Sequence, residues 1–156
     1  MSIQNLHTHT AYCDGSDTPE EIVIAALSKG FNSIGFSGHS FMSYSNYISE
    51  DKTEEYKKEI LRLKEVYDDR IKIYLGLEID MYSKPDMTGY DYLIGSMHYF
   101  RFDDKYVGFD RGQQEVENVI NTYFNGDGME YAKLYYKILA ELPQYGDFDI
   151  IGHFDL

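Results

Sequence analysis

Five histidines stand at positions 7, 9, 39, 98 and 153 of this 156-residue chain. Each falls at, or one step beyond, the C-terminal end of a segment that reads as a β-strand, and Glu78 ends the remaining strong strand. Residues two apart on a strand share a face and lie about 6.6 Å apart. His7 and His9 can therefore clasp one cation between them, and Glu78 and Asp80 share a face in the same way. Imidazole and carboxylate without thiolate suit Zn, Mn or Fe, whereas an all-oxygen set would suit Mg or Ca. A carboxylate can bridge two cations, which makes Glu78 the natural centre of a multinuclear site. Cations roughly 3.5–4 Å apart can activate a shared water and clamp the oxygens of an in-line displacement, the chemistry of phosphate ester hydrolysis. A single histidine is more often a surface or core residue than a ligand. Five of five at strand ends are a joint observation, and that observation favours a metal site.

The elements that must place these side chains alternate. Ile3–His7 reads as a strand and runs into the turn-rich stretch Cys13-Asp14-Gly15-Ser16-Asp17. Thr18-Pro19-Glu20-Glu21 then starts a helix: Thr is a good N-cap, Pro suits the first helical position, and acidic residues favour the first turn. That helix stops at Gly30. Ser33–Gly38 is a second strand, and Thr53–Asp69 is an amphipathic helix whose Tyr56, Ile60, Leu63 and Tyr67 recur at helical spacing. Ile71–Ile79 and Asp91–His98 are strands, Gln113–Phe124 and Met129–Leu142 are helices, and Asp149–His153 is a fifth strand. Strand–helix alternation implies parallel pairing with right-handed crossovers, hence a single α/β domain over 1–156. Ligands of such sheets bind beyond the carboxyl ends of the strands, where these histidines fall.

Other residues have plainer readings. Asp14 alone is a turn former. Cys13 is the only cysteine, which excludes an internal disulfide and fits a reducing cytoplasm; it reads as a small loop residue. Tyr44, Tyr47, Tyr56, Tyr67 and Tyr74 read as packing. Arg101, Lys105 and Arg111, in a loop after His98, could hold a phosphate or simply be solvated, and Asp103-Asp104 lacks the rest of a calcium loop. No glycine-rich phosphate loop, Gly-x-Ser-x-Gly elbow or His-Glu-x-x-His helix is present.

Composition narrows the classes. Lys and Arg number 14 against 27 Asp and Glu, a formal net charge of -13. That balance argues against binding a nucleic-acid backbone and is compatible with holding several cations. The N-terminus lacks the basic and apolar regions of a signal peptide, and no apolar run is long enough to span a bilayer, so a cytoplasmic location without membrane association is expected.

His7-Thr8-His9-Thr10 with Cys13-Asp14-Gly15 resembles the opening motif of the PHP (polymerase and histidinol phosphatase) superfamily. Gly38-His39-Ser40, Gly76-Leu77-Glu78, Gly95-Ser96-Met97-His98 and Gly152-His153-Phe154-Asp155 match its later motifs in order. The Gly-Leu-Glu and Ser-x-His blocks and the long insertion after His98 are most similar to the histidinol-phosphatase branch. The resemblance implies a distorted TIM-like (β/α)7 barrel with a trinuclear metal cluster at its C-terminal rim and attack by a metal-bound hydroxide. Carried over by motif, His7, His9 and a bridging Glu78 hold the first metal, and Glu78, His98 and His153 the second. Asp14 and His39 contribute to the third. Glu78 and His98 would then act in catalysis through the metals, and Asp155 would orient a ligand. The implied cofactors are two to three divalent metals (Zn, Mn or Fe), and the implied reaction is hydrolysis of L-histidinol phosphate.

The family's final Asp-x-His motif is absent, and a closed barrel needs about 200 residues or more. The expectation is therefore the N-terminal five strand–helix units of a longer barrel, with an open sheet edge that invites self-association. A PHP nuclease or other PHP phosphoesterase, a barrel amidohydrolase and an inactive metal-binding fragment stand as alternatives.

Overall fold

A computed structural model describes residues 3–42 and 49–155; Tyr44 and Tyr47 lie outside the described residues. The strands and helices run β1 (Gln4–Asn5), α1 (Pro19–Ser28), β2 (Ser33–Phe36), α2 (Glu50–Val66), β3 (Lys72–Asp80), β4 (Tyr92–Ser96), β5 (Tyr99–Phe102), β6 (Lys105–Gly108), α3 (Gln113–Tyr123), α4 (Gly128–Leu139) and β7 (Ile150–Ile151). Five strands form one parallel sheet in the order β1-β2-β3-β4-β7, as the strand–helix alternation implied. β5 and β6 form a separate antiparallel pair.

Local chemistry explains the first helix. Thr18 accepts a hydrogen bond from the Glu21 amide while the Glu21 carboxylate accepts from the Thr18 amide, a reciprocal capping box. Pro19 occupies the first turn, and Gly30 takes the left-handed conformation that follows the last turn, at φ +76°. In α2, the predicted stripe is the buried one: Tyr56, Ile60, Leu63 and Tyr67 all pack inward against Ile73 and Leu75 of β3. That aliphatic core lies between the sheet and α1 and α2. A second core, rich in aromatic rings, lies between β5–β6, α3 and α4 and contains Phe100, Phe109, Tyr131 and Tyr135.

Several boundaries differ from the sequence reading. β1 and β7 are two residues each, and the segments that continue them toward His7 and His153 are held by single backbone hydrogen bonds (Ser37 to Thr8, Gly152 to Gly95) and side chains rather than by a continuous ladder. α4 ends at Leu139 and a 3₁₀ turn follows at Leu142–Gln144, because Pro143 cannot continue the α-helical ladder. The stretch after His98 is not a loop but the β5–β6 hairpin, reversed at Asp103 in the left-handed conformation (φ 52°).

Tyr92 crosses the inside of the sheet. Its hydroxyl donates to the Leu6 carbonyl at 2.5 Å, tying β4 to the end of β1. The ring passes so close to Gly76 that any side chain there would collide with it.

Candidate metal centre

The histidines reach one rim because the strands are parallel and in register. The His7–His9 segment is fixed at both ends. The Ser37 amide donates to the Thr8 carbonyl (2.9 Å), the Thr8 amide donates to Ser37 Oγ (3.1 Å), and Tyr92 holds Leu6. After His9 the chain folds back, with the amides of Cys13 and Gly15 both donating to the Thr10 carbonyl. A Cβ at Gly15 would strike the His9–Thr10 backbone, so only glycine lets Asp14 return over His9. His39 leaves β2 opposite Glu78: the Glu78 amide donates to the Gly38 carbonyl and the Ser40 amide to the Glu78 carbonyl. The Tyr56 hydroxyl steadies the same place by donating to the Gly76 carbonyl and accepting from the Gly38 amide.

Glu78 is 1% exposed and lies at the centre. Its Oε1 is 3.2 Å from His7 Nε2, 3.3 Å from His98 Nε2 and 3.0 Å from His153 Nε2, and it accepts a 2.6 Å hydrogen bond from Ser96 Oγ. Its Oε2 is 3.2 Å from both His9 Nε2 and His39 Nδ1. Asp14 stands on the outer side, with Oδ1 3.2 Å from His9 Nδ1 and Oδ2 3.4 Å from His39 Nε2. His98 and His153 bring their Nε2 atoms to 3.2 Å of one another.

The electrostatics follow from this crowding. Burial alone would raise the Glu78 carboxyl, but hydrogen bonds from His153, His7, His9 and His98 hold it far below the usual carboxylate range. Burial disfavours charge on His9, yet its hydrogen bonds to Cys13 and Glu78 raise it to about 10. His98 also reaches about 10, burial being outweighed by Asp80 and Glu78. His39 beside Asp14 holds that carboxyl well below its ordinary value. Cys13 sits in its loop as expected, with Sγ 3.5 Å from His9 Nδ1; burial raises the thiol, but that hydrogen bond and the Thr10 and His39 backbone bring it below its usual value.

The donor set fits divalent cations. Metal–nitrogen and metal–oxygen bonds of 2.0–2.2 Å in a tetrahedron put neighbouring donors about 3.3 Å apart, and the separations around Glu78 span 3.0 to 3.3 Å. Glu78 Oε2 is buried between His9 Nε2 and His39 Nδ1, 3.2 Å from each without a well-aligned hydrogen bond, as an atom that shares a cation with those nitrogens would be. Three groups have donor atoms close enough to share an ion: His7, His9 and Glu78; His9, Asp14 and His39; and His39, Glu78 and His98. These groups hold six of the seven residues read as ligands from the sequence, and His153 joins them at 3.0 Å from Glu78 Oε1.

Three further sequence candidates lie outside this donor set. Asp155 is exposed in a turn two residues beyond His153 and, among the described residues, makes no hydrogen bond to the cluster, because the chain has already left the short β7. Arg101 lies exposed on β5, where its Nε donates to the Asp103 carbonyl and its guanidinium stacks over Tyr106. Arg111 precedes α3, and its amide donates to Glu115. Sequence reasoning missed the supports Ser37, Ser96 and Tyr92. For Ser96 the signal was available, since it precedes His98 by two residues and so shares its strand face.

Fold and site together define a metal-binding α/β domain of the PHP type: the PHP domain family matches residues 5–156, and the chain belongs to that family. A Deinococcus radiodurans protein named "Probable histidinol-phosphatase" is 30% identical over 163 residues, covering 96% of this chain and 59% of its own length. A crystal structure from Listeria monocytogenes superposes with a TM-score of 0.80 at 20% identity, over 97% of this chain and 66% of that one. The histidinol phosphate phosphatase of Lactococcus lactis, solved with zinc, L-histidinol and phosphate, gives a TM-score of 0.66 at 21% identity, over 97% of this chain and 57% of that one. The chain therefore spans about three-fifths of the curated relative's length. Among the described residues, no helix is long and apolar enough to cross a membrane.

Proposed function

We propose that this chain carries the metal centre of a phosphoric monoester hydrolase that converts L-histidinol phosphate and water to L-histidinol and phosphate. The observation that carries this reading is the ring of five imidazoles around one buried carboxylate. The names of the relatives, and the ligands of the Lactococcus lactis structure, support the substrate. His7, His9 and Glu78 would hold one divalent cation, Glu78, His98 and His153 a second, and Asp14 with His39 would contribute to a third; the donor types favour Zn, Mn or Fe. Bound there, the cations would neutralise the phosphate oxygens and supply an activated water.

The chain's own part is positioning. Glu78 presents its two oxygens to two different groups of imidazoles, and Ser96 fixes the carboxylate plane by donating to Oε1. The parallel register sets the histidines around it, so little reorganisation is needed when ligands arrive.

The test is phosphate release from L-histidinol phosphate with added Mn²⁺ or Zn²⁺, beside a chelated control and a His98→Ala variant. Metal-dependent release that the variant lacks is expected. Release that survives chelation would refute the reading, and metal uptake without release would mean that residues outside this chain complete the site.

A further inference from the structure

Asp80 is a buried carboxylate, 1% exposed, that the seven-residue donor set does not use. It pairs in register with Ser96 across β3 and β4, so it lies beside the chain as it runs on to His98. Oδ1 accepts from the Tyr82 amide at 2.9 Å, and Oδ2 accepts from the His98 amide at 3.1 Å. That same Oδ2 lies 3.4 Å from His98 Nδ1. The other ring nitrogen of His98 faces the opposite way, 3.3 Å from Glu78 Oε1 and 3.2 Å from His153 Nε2. His98 is 2% exposed, and its buried Nδ1 makes no well-aligned hydrogen bond among the described residues, the Asp80 carboxylate 3.4 Å away being the charged group beside it.

We propose that Asp80 is a positioning residue that keeps the proton of a neutral His98 on Nδ1 and so leaves Nε2 as the donor atom turned toward Glu78. This rests on the reading of the cluster as a metal centre. A neutral His98 has two tautomers to choose between. A buried neutral imidazole carries one proton, and the nitrogen that carries it cannot ligate. A fixed carboxylate on one side makes the N–H there favourable and the lone pair there unfavourable. Ligating histidines commonly rely on such a partner, and losing it weakens metal affinity 10–100-fold. Asp80 does not act as a ligand itself, because both of its oxygens already accept from backbone amides and it faces the side of His98 away from Glu78. Its anchoring by the Tyr82 and His98 amides fixes the carboxylate without help from solvent.

The experiment compares the unaltered chain with Asp80→Ala and Asp80→Asn. Zinc affinity is measured by chelator competition, and the His98 tautomer by ¹⁵N NMR of the imidazole nitrogens in the zinc-loaded protein. For the unaltered chain, a zinc-bound Nε2 and a protonated Nδ1 are expected. Asp80→Ala should weaken zinc about 10–100-fold and alter the His98 nitrogen shifts while leaving those of His7 and His9 in place. Asp80→Asn keeps an oxygen that can accept from Nδ1, so it should keep the tautomer and lose less affinity. If Asp80→Ala does not fold, Asp80→Asn decides: a loss of affinity of more than threefold with the tautomer retained supports the role. Zinc affinity within threefold of the unaltered chain and an unchanged tautomer in the variant that folds would overturn it, leaving the metal centre intact. An unaltered chain that takes up no zinc would overturn the metal centre and this role together.

Discussion

The two cores of this molecule are built from different materials for different tasks. The one beneath α1 and α2 is largely aliphatic, with Ile34, Ile60, Leu63, Ile73 and Leu75, and it backs the strands that carry His39 and Glu78. The one beneath β5–β6, α3 and α4 is dominated by rings: Phe100 lies 4.8 Å from Phe109, 5.4 Å from Tyr131 and 5.9 Å from Phe124 between ring centres. Both are fully buried at their centres. A continuous strand such as β3 brings its own ladder, so its core needs only to be filled. The β5–β6 hairpin pairs only within itself and depends on large aromatic contacts to stay packed beside the end of β4.

Substitutions can break that contrast. The largest effect is expected outside both cores, from Glu78→Gln, which keeps the size and removes the charge common to all five histidines. Zinc affinity should fall by more than about a hundredfold, since loss of an outer partner alone costs 10–100-fold; isothermal titration would measure it. Phe100→Ala should destabilise the chain by about 3–5 kcal/mol and weaken zinc as well, because Phe100 lies two residues beyond His98. Leu63→Ala, in the aliphatic core, should cost about 2–5 kcal/mol and leave zinc affinity unchanged, as seen in thermal melts with and without metal. Equal effects of the two on zinc would remove the distinction between the cores.

Proton competition gives an intermediate effect. Without metal, His9 and His98 bind protons up to about pH 10 and stabilise the fold most at low pH. Their folded values lie above the ordinary 6.5, so that contribution is complete below about 6.5 and fades as pH rises toward 10. Glu78 and Asp14 have depressed values, so theirs is present above the ordinary carboxylate range and is lost on acidification. Metal must displace the histidine protons, so its affinity should rise with pH over the same window, by up to about tenfold per unit for each proton released. Zinc titrations at pH 6, 7 and 8 check the sign. The smallest effect is Thr18→Ala, which removes the helix cap and should cost about 1 kcal/mol in denaturant melts with no change in metal binding.

Much of this was legible in the sequence because it is local. The Thr18–Glu21 cap is decided within four residues, the α2 stripe within twelve, and the metal donors announce themselves by type and by their place at strand ends. The β5–β6 hairpin was hidden because Arg101, Asp103, Asp104 and Lys105 read as solvated loop, and its reversal uses Asp103 instead of an Asn-Gly or Asp-Gly pair. The shortness of β1 was hidden for another reason. Leu6 to Thr8 are held by Ser37 and Tyr92, contacts that reach 29 and 86 residues along the chain, and periodicity carries no trace of them.

The Tyr92–Leu6 hydrogen bond also sets an order of events during synthesis. A nascent chain can close α1, pair β2 with β3 and hold Thr8 against Ser37 from nearby sequence, but the second anchor of its first two histidines, at Leu6, waits until Tyr92 has emerged and packed over Gly76. Bringing ends so far apart together is slow compared with local helix closure. The His7–His9 segment is then among the last to be fully fixed, and Tyr92→Phe, which keeps the ring and drops the hydroxyl, should delay metal capture during refolding more than it delays helix formation.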